Sequence, residues 1–215
     1  MHHRWLTLLS IGALSLMVFI FFIVYLQPIE LPDIEPELEI GSLTEPTVTF
    51  VNPSKGAEEP LVRIVEFSDF QCTACKTIAT SLEVVLATYP EQVQLVWKDL
   101  PNESIHQFAT PAAIAAHCAD QQGQFWTYHD ELYARQSYLS ENQFSTIAST
   151  IGLDMDKFES CYQSRDTLPI VKNDFNEALG LGLTSTPTLF VGDEIVIGAI
   201  SSLDLLDMVE AQLNQ

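Results

Sequence analysis

Positive charge is scarce in this chain. Only 9 lysines and arginines face 29 aspartates and glutamates, giving a formal net charge of −20 and an isoelectric point near 4.3. So few cations cannot neutralise a phosphate backbone, which excludes nucleic acid as a partner. Cysteine is scarce too: four in 215 residues is far from the dense disulfide framework of a small secreted scaffold. A second close pair of Cys or His ligands, the mark of a structural zinc site, is missing, because Cys118 and Cys161 stand far apart in the chain. No metal or other cofactor is expected. No small-x-small cleavage site lies near Tyr25-Leu26-Gln27, which argues against a cleaved signal peptide. No cysteine follows closely either, so a lipoprotein anchor lacks its attachment residue.

Charge is wholly absent from Trp5 to Leu26, a run long enough to cross a bilayer as a helix. Arg4 precedes it, and Glu30, Asp33 and Glu35 follow. The positive-inside rule then predicts an uncleaved signal-anchor: residues 1–27 form a cytoplasmic N-terminus and transmembrane helix, with everything after Gln27 outside the cytoplasm. In a Gram-negative cell that is the periplasm. Residues 28–56 are acidic and proline-rich with little apolar periodicity, and read as an extended linker, with a weak strand signal at Thr47–Val51. The folded domain is expected over 57–215.

Within that domain Leu61–Phe67 is rich in β-branched and aromatic residues and predicts a buried strand. Lys76–Tyr89 carries Ile78, Leu82, Val85 and Leu86 at helical spacing. A second strand is expected at Gln92–Trp97. Helices are expected from Thr110-Pro111 (as N-cap and first turn) to Asp120, over Phe125–Gln136, over Ser140–Ile151 with a Ser140/Gln143 capping box, over Asp154–Ser164 and over Leu168–Leu179. A hairpin follows, Thr188–Val191 and Glu194–Ile197 about Gly192-Asp193, and then a terminal helix over Ser202–Leu213. This order predicts an α/β fold, a small mixed sheet with helices on its faces and a helical insertion at about 102–180.

Cys72-Thr73-Ala74-Cys75 sits where the first strand gives way to the first helix. Free backbone N–H groups and the helix dipole there favour a thiolate over a thiol. The C-x-x-C spacing alone fits either redox chemistry or metal binding, and its context favours redox. Pro187, in Thr184-Ser185-Thr186-Pro187-Thr188, marks either a strand's first position or a cis peptide. Cys118 and Cys161 admit three readings: buried free thiols, a structural bridge between insertion helices, or a second redox pair. An oxidising compartment favours the bridge. His106, His117 and His129 are scattered and read as surface or packing residues, and Phe125, Trp126 and Tyr128 as packing of the insertion.

Three ordered motifs carry a resemblance: Phe67-Ser68-Asp69-Phe70-Gln71-Cys72-Thr73-Ala74-Cys75, Gly123 to Tyr133, and Thr186-Pro187-Thr188-Leu189-Phe190-Val191-Gly192. Together they resemble the DsbA-like thiol-disulfide oxidoreductases, from about Leu61 to the C-terminus. The resemblance implies a thioredoxin-like fold with an α-helical insertion. It implies Cys72 as nucleophile, Cys75 as resolving cysteine and Thr186-Pro187 as a cis-proline loop facing them. Glu66 reads either as an edge carboxylate reaching water or, where the resemblance places it, as the acid this fold buries, a proton relay for Cys75, with Lys98 as its partner or a solvated strand end. The implied partners are exported cysteine-containing proteins and a membrane redox protein of the DsbB type, with the bilayer contacted through Trp5–Leu26. The dipeptide Thr73-Ala74 departs from the Pro-His of the best-known oxidase, which leaves a reductase or isomerase open. A third class, copper handling by Cys72 and Cys75, stays open as well.

Overall fold

A computed structural model describes residues 14–21 and 40–215. Leu14–Phe21 is an exposed helical segment. The rest of the expected Trp5–Leu26 span lies outside the described residues, among which no helix is long and apolar enough to cross a membrane. Residues 28–39 of the expected linker also lie outside them.

Five strands form one sheet in the order β1-β3-β2-β4-β5. These are β1 (Ser54–Gly56), β2 (Val62–Ser68), β3 (Val93–Asp99), β4 (Thr188–Val191) and β5 (Glu194–Ile197). Only β2 and β3 run parallel, with Glu66 opposite Trp97 and Ser68 opposite Asp99. The crossover between them is α1 (Thr73–Thr88). The segment between β3 and β4 holds the helical insertion: α2 (Ala109–Asp120), α3 (Phe125–Ala134), α4 (Glu141–Thr150), α5 (Met155–Ser164) and α6 (Leu168–Gly180). The chain closes with α7 (Ser202–Leu213).

Alternation along β2 sorts its residues between two layers. Val62 and Ile64 pack with Val93, Leu95 and the apolar faces of α1 and α7 (Ile78, Leu82, Val85, Leu205, Val209). Val65 and Phe67 point the other way, towards Val96, Phe190 and Ala178 of α6. The insertion has its own core, which reaches back to Phe70, Cys72, Cys75 and Trp97. Cys118 of α2 and Cys161 of α5 are joined by a disulfide inside that core, with 5.8 Å between their Cα atoms.

Local chemistry differs from the sequence expectation in four places. No strand forms at Thr47–Val51; Asn52 Oδ1 accepts from both the backbone N–H and the hydroxyl of Thr49, which folds this stretch into a turn. The edge strand is Ser54–Gly56, inside the expected linker, antiparallel to β3. Gly56 is obligatory there: its φ is +100° and a Cβ would stand 2.3 Å from the Val93 carbonyl oxygen. The chain also joins the domain well before Ala57, with Leu43 N–H donating to the Gly180 carbonyl (2.8 Å). Third, α2 begins at Ala109, so Thr110 lies inside the helix instead of capping it. Fourth, Ser140 precedes α4 without a side-chain cap: the Gln143 N–H donates to the Ser140 carbonyl (2.9 Å), and the Gln143 side chain accepts from Arg135 (3.3 Å).

Lys98 is neither a partner of Glu66 nor a solvated end. It is 1% exposed, and its Nζ donates to Asp174 Oδ1 (2.9 Å) and Glu177 Oε2 (2.7 Å), both on α6. The same carboxylates hold the N-terminal segment, through Asn52 Nδ2 to Asp174 (3.3 Å) and Thr47 N–H to Glu177. One ammonium thus ties sheet, insertion and the segment leading into β1. Lys98→Met leaves two buried carboxylates without their cation, and should cost about 3–5 kcal/mol of unfolding free energy in a urea titration.

Candidate functional site

Cys72 is the N-cap residue of α1, in extended conformation (φ −75°, ψ 120°), and its Sγ accepts from the Cys75 N–H at 3.3 Å. The strand-to-helix junction creates this arrangement: the first-turn N–H groups have no helical acceptor, and the sulfur supplies one. Hydrogen bonding from Cys75 is the largest influence on Cys72. Burial opposes it, the Thr186 side chain and the Cys75 and Ala74 N–H groups add to it, and the thiol falls to about 6. Cys75, fully buried one turn on, moves the opposite way, because burial and then the neighbouring Cys72 disfavour its thiolate. At neutral pH the pair is therefore one thiolate and one thiol.

The turn before the helix is held from several sides. Asp69 Oδ1 accepts from Gln71 N–H (2.7 Å), and its Oδ2 accepts from Asn102 N–H (2.9 Å) and meets His106 Nδ1 (2.8 Å). Gln136, in the short 3₁₀ turn after α3, donates through Nε2 to the carbonyls of Phe70 (2.8 Å) and Cys72 (2.9 Å). Across from the sulfurs the Thr186–Pro187 peptide is cis, and the Thr186 carbonyl oxygen lies 3.4 Å from Cys72 Sγ, where it accepts from the thiol form. Thr186 and Pro187 thus meet the Cys72–Cys75 pair in space.

Glu66 is fully buried on the α1 side of the sheet. Burial pushes its carboxyl up to about 7, against the lowering effects of a Ser68 hydrogen bond and the more distant Lys55 charge. Ser68 Oγ donates to Glu66 Oε1 (2.7 Å) and sits 3.2 Å from Tyr133 Oη, while Glu66 Oε2 has no protein partner. Ser68 and Glu66 both bear on the Cys75 thiol, the hydroxyl lowering and the carboxylate raising it, which sets the three groups in one buried neighbourhood. Behind it stands an aromatic wall. Phe70 stacks on Trp97 (4.6 Å between ring centroids), and His129 packs edge-on against Tyr133 (4.8 Å) and Trp97 (5.1 Å). Burial lowers the His129 pKa, which keeps that ring neutral.

Ser68, Tyr133 and Gln136 are site residues that sequence reasoning missed. Ser68 alone had a signal, two positions from Glu66 and so on the same strand face. The histidines divide: His129 is packing as expected, whereas His117 is buried against Asp99 (Nε2 to Oδ2 2.6 Å). Among the described residues the one grouping of three potential ligand side chains is Asp99, His117 and Asp174, which does not include the reactive cysteines. Lys98 already occupies Asp174, so that cluster carries its own cation.

Cys72 should titrate alone. The ultraviolet thiolate signal of the reduced protein should rise through a midpoint near 6, with Cys75 silent to alkylation. A depressed folded-state pKa contributes stability that is full above the unfolded value of 9.0 and is lost as pH falls through about 6. The stability difference between reduced and oxidised protein should therefore grow in favour of the reduced form from pH 6 to 9, measured by paired denaturant titrations.

A family model described as thioredoxin matches residues 51–211. Among curated proteins, a Na(+)/H(+) antiporter NhaA 3 of Salinispora tropica is 34% identical over 137 residues, covering 64% of this chain but 21% of the antiporter. The chain thus spans about a fifth of the length of that relative. A thioredoxin-like oxidoreductase from Silicibacter pomeroyi superposes with a TM-score of 0.68 at 26% identity, over 78% of this chain and 95% of that one. The thiol-disulfide exchange protein alpha-DsbA2 from Wolbachia pipientis, at 24% identity, shares the fold with a TM-score of 0.66, over 75% of this chain and 87% of that one.

Proposed function

The chain belongs to the thioredoxin family, and we propose that it is a DsbA-like thiol–disulfide oxidoreductase that introduces disulfides into exported proteins from the outer face of a membrane. The observation that carries the reading is the division of labour between the two sulfurs: Cys72, at the helix N-terminus, is stabilised as a thiolate, and Cys75, buried behind it, is not.

With the pair oxidised, a substrate thiolate attacks Cys72 Sγ. The Cys72–Cys75 bond breaks, and its electron pair leaves on Cys75. The departing sulfur is a poor anion in its buried position and takes a proton by way of Ser68 from Glu66, whose raised pKa keeps a supply of the acid form near neutrality. The substrate's second thiolate then attacks its own sulfur of the mixed disulfide. Cys72 leaves as the thiolate that its N-cap hydrogen bond stabilises. The substrate has lost two electrons, and the enzyme holds them as a dithiol, which an oxidant, a membrane redox partner of the DsbB type, must withdraw. Among the described residues, the backbone N–H groups of Thr184, Ser185 and Thr186 have no protein acceptor, so an extended substrate can pair along them whatever its sequence.

The apolar run Trp5–Leu26, with Arg4 before it, supports a single-pass anchor that leaves the catalytic domain outside the cytoplasm. The Cys118–Cys161 bridge supports the same compartment and has a structural role, buried in the insertion core away from solvent. The domain boundaries that go with this reading are an anchor over 1–27, a connecting segment and a catalytic domain that takes in β1.

Cys75→Ser should accumulate mixed disulfides between Cys72 and exported proteins on non-reducing gels; their absence removes the exchange reading. Direction is read from the reduction potential. A Cys72 pKa of about 6 lies between those of thioredoxin (≈ 7) and DsbA (≈ 3.5), so the couple should equilibrate with glutathione between about −270 and −120 mV. A value at or below the thioredoxin end would make it a reductase. Glu66→Gln should slow exchange on the order of 10²-fold near neutral pH. After correction for the substrate's own ionisation, the wild-type rate should fall as pH rises through about 7, and the variant should lose that limb.

A further inference from the structure

The amide of Gln136 spans the stretch of backbone on which the Cys72 thiolate depends. Gln136 opens the 3₁₀ turn Gln136–Tyr138 that follows α3, and it is half-buried. Its backbone is anchored from both sides, because Tyr133 before it and Leu139 after it belong to the insertion core. Arg135 ties the same turn to Glu131 (3.0 Å) and Gln143 (3.3 Å). From this platform one side-chain nitrogen reaches two carbonyl oxygens, those of Phe70 (2.8 Å) and Cys72 (2.9 Å). A carboxamide nitrogen has two hydrogens, so each bond takes one of them. The Cys72 carbonyl is a shared acceptor, since it also receives the Lys76 N–H at the start of α1 (3.2 Å).

The two carbonyls bracket Gln71 and Cys72. Holding both restrains the backbone dihedral angles that aim Cys72 Sγ at the first-turn N–H groups. That restraint has unequal value in the two redox states. When the pair is oxidised, the sulfur–sulfur bond closes the C-x-x-C turn covalently and holds Sγ in place. When it is reduced, as in this structure, only hydrogen bonds do so, and the cap itself is one 3.3 Å contact from the Cys75 N–H. A contact that matters more in one of two states shifts the equilibrium towards that state by the difference. Resting on the oxidoreductase reading, we infer that Gln136 is a positioning residue through which the helical insertion sets the oxidising strength of the Cys72–Cys75 couple: it stabilises the dithiol form and so raises the reduction potential. Thr73 and Ala74, between the sulfurs, then share the choice of direction with a residue 64 positions from Cys72.

The test is the equilibrium of the full-length protein with glutathione, in which two glutathione thiols become one disulfide as the Cys72–Cys75 disulfide becomes a dithiol. Gln136→Met keeps the side chain's bulk and removes both donors. Its equilibrium constant for reduction should fall about three- to tenfold, which is a potential lower by about 15–30 mV. The midpoint of the Cys72 thiolate signal should rise with it, by about half a pH unit to one. Paired urea titrations give a readout that a merely structural residue would not move: the reduced variant should lose more stability than the oxidised one, by the same factor. Gln136→Glu has the same shape but, once ionised, only accepts, and it should lower the potential at least as far. A wild-type potential in either variant, an upward shift, or an equal loss of stability in the two redox forms overturns the positioning role and leaves the exchange chemistry standing. A wild-type pair that never exchanges with glutathione removes the oxidoreductase reading, and this inference with it.

Discussion

One hydrogen bond organises this molecule's chemistry, the 3.3 Å contact from the Cys75 N–H to Cys72 Sγ at the start of α1. It makes a sulfur the cap of a helix, and so couples the thiolate's stability to the helix's own need for an acceptor. Everything nearby preserves that coupling. Gln136 and Asp69 fix the turn, the Thr186 loop faces it, and the wall of Phe70, Trp97 and Tyr133 keeps water from the second sulfur. The same exclusion of water that disfavours the Cys75 anion also raises Glu66, so the two groups are tuned by one cause.

Much of this was legible in the chain because it rests on local pattern. The strand signals at Leu61–Phe67, Thr188–Val191 and Glu194–Ile197 and the terminal helix at Ser202–Leu213 are periodic, and periodicity survives folding. The errors fall where long-range partners overrule local preference. Lys98 ends a strand and looks solvated until Asp174 and Glu177, more than seventy residues on, arrive to pair with it. Ser140 has the spacing of a capping box, but Gln143 is claimed by Arg135. The edge strand Ser54–Gly56 has no apolar alternation, and β3 imposes its conformation. Gln136 gave no signal, since a polar residue in a short turn is ordinary until its distant acceptors are known.

The molecule also keeps two kinds of buried charge for two purposes. Around Lys98 the charges are matched, with an ammonium held between carboxylates, which fixes geometry. Around Glu66 a carboxyl is left with one oxygen unpartnered and no cation against it, which costs stability and leaves the group free to titrate near neutrality. The two environments lie on opposite faces of the same sheet, one on β3 and one on β2, separated by the parallel register that sets Glu66 beside Trp97.

The Cys118–Cys161 bridge has a consequence for how the molecule comes into being. A newly made chain carries four thiols, and of the three ways to pair them only one places a bridge in the insertion and leaves Cys72 facing Cys75. The chain must therefore be oxidised at one pair of thiols and spared at the other before its site exists, so its maturation is itself a problem of pairing cysteines correctly.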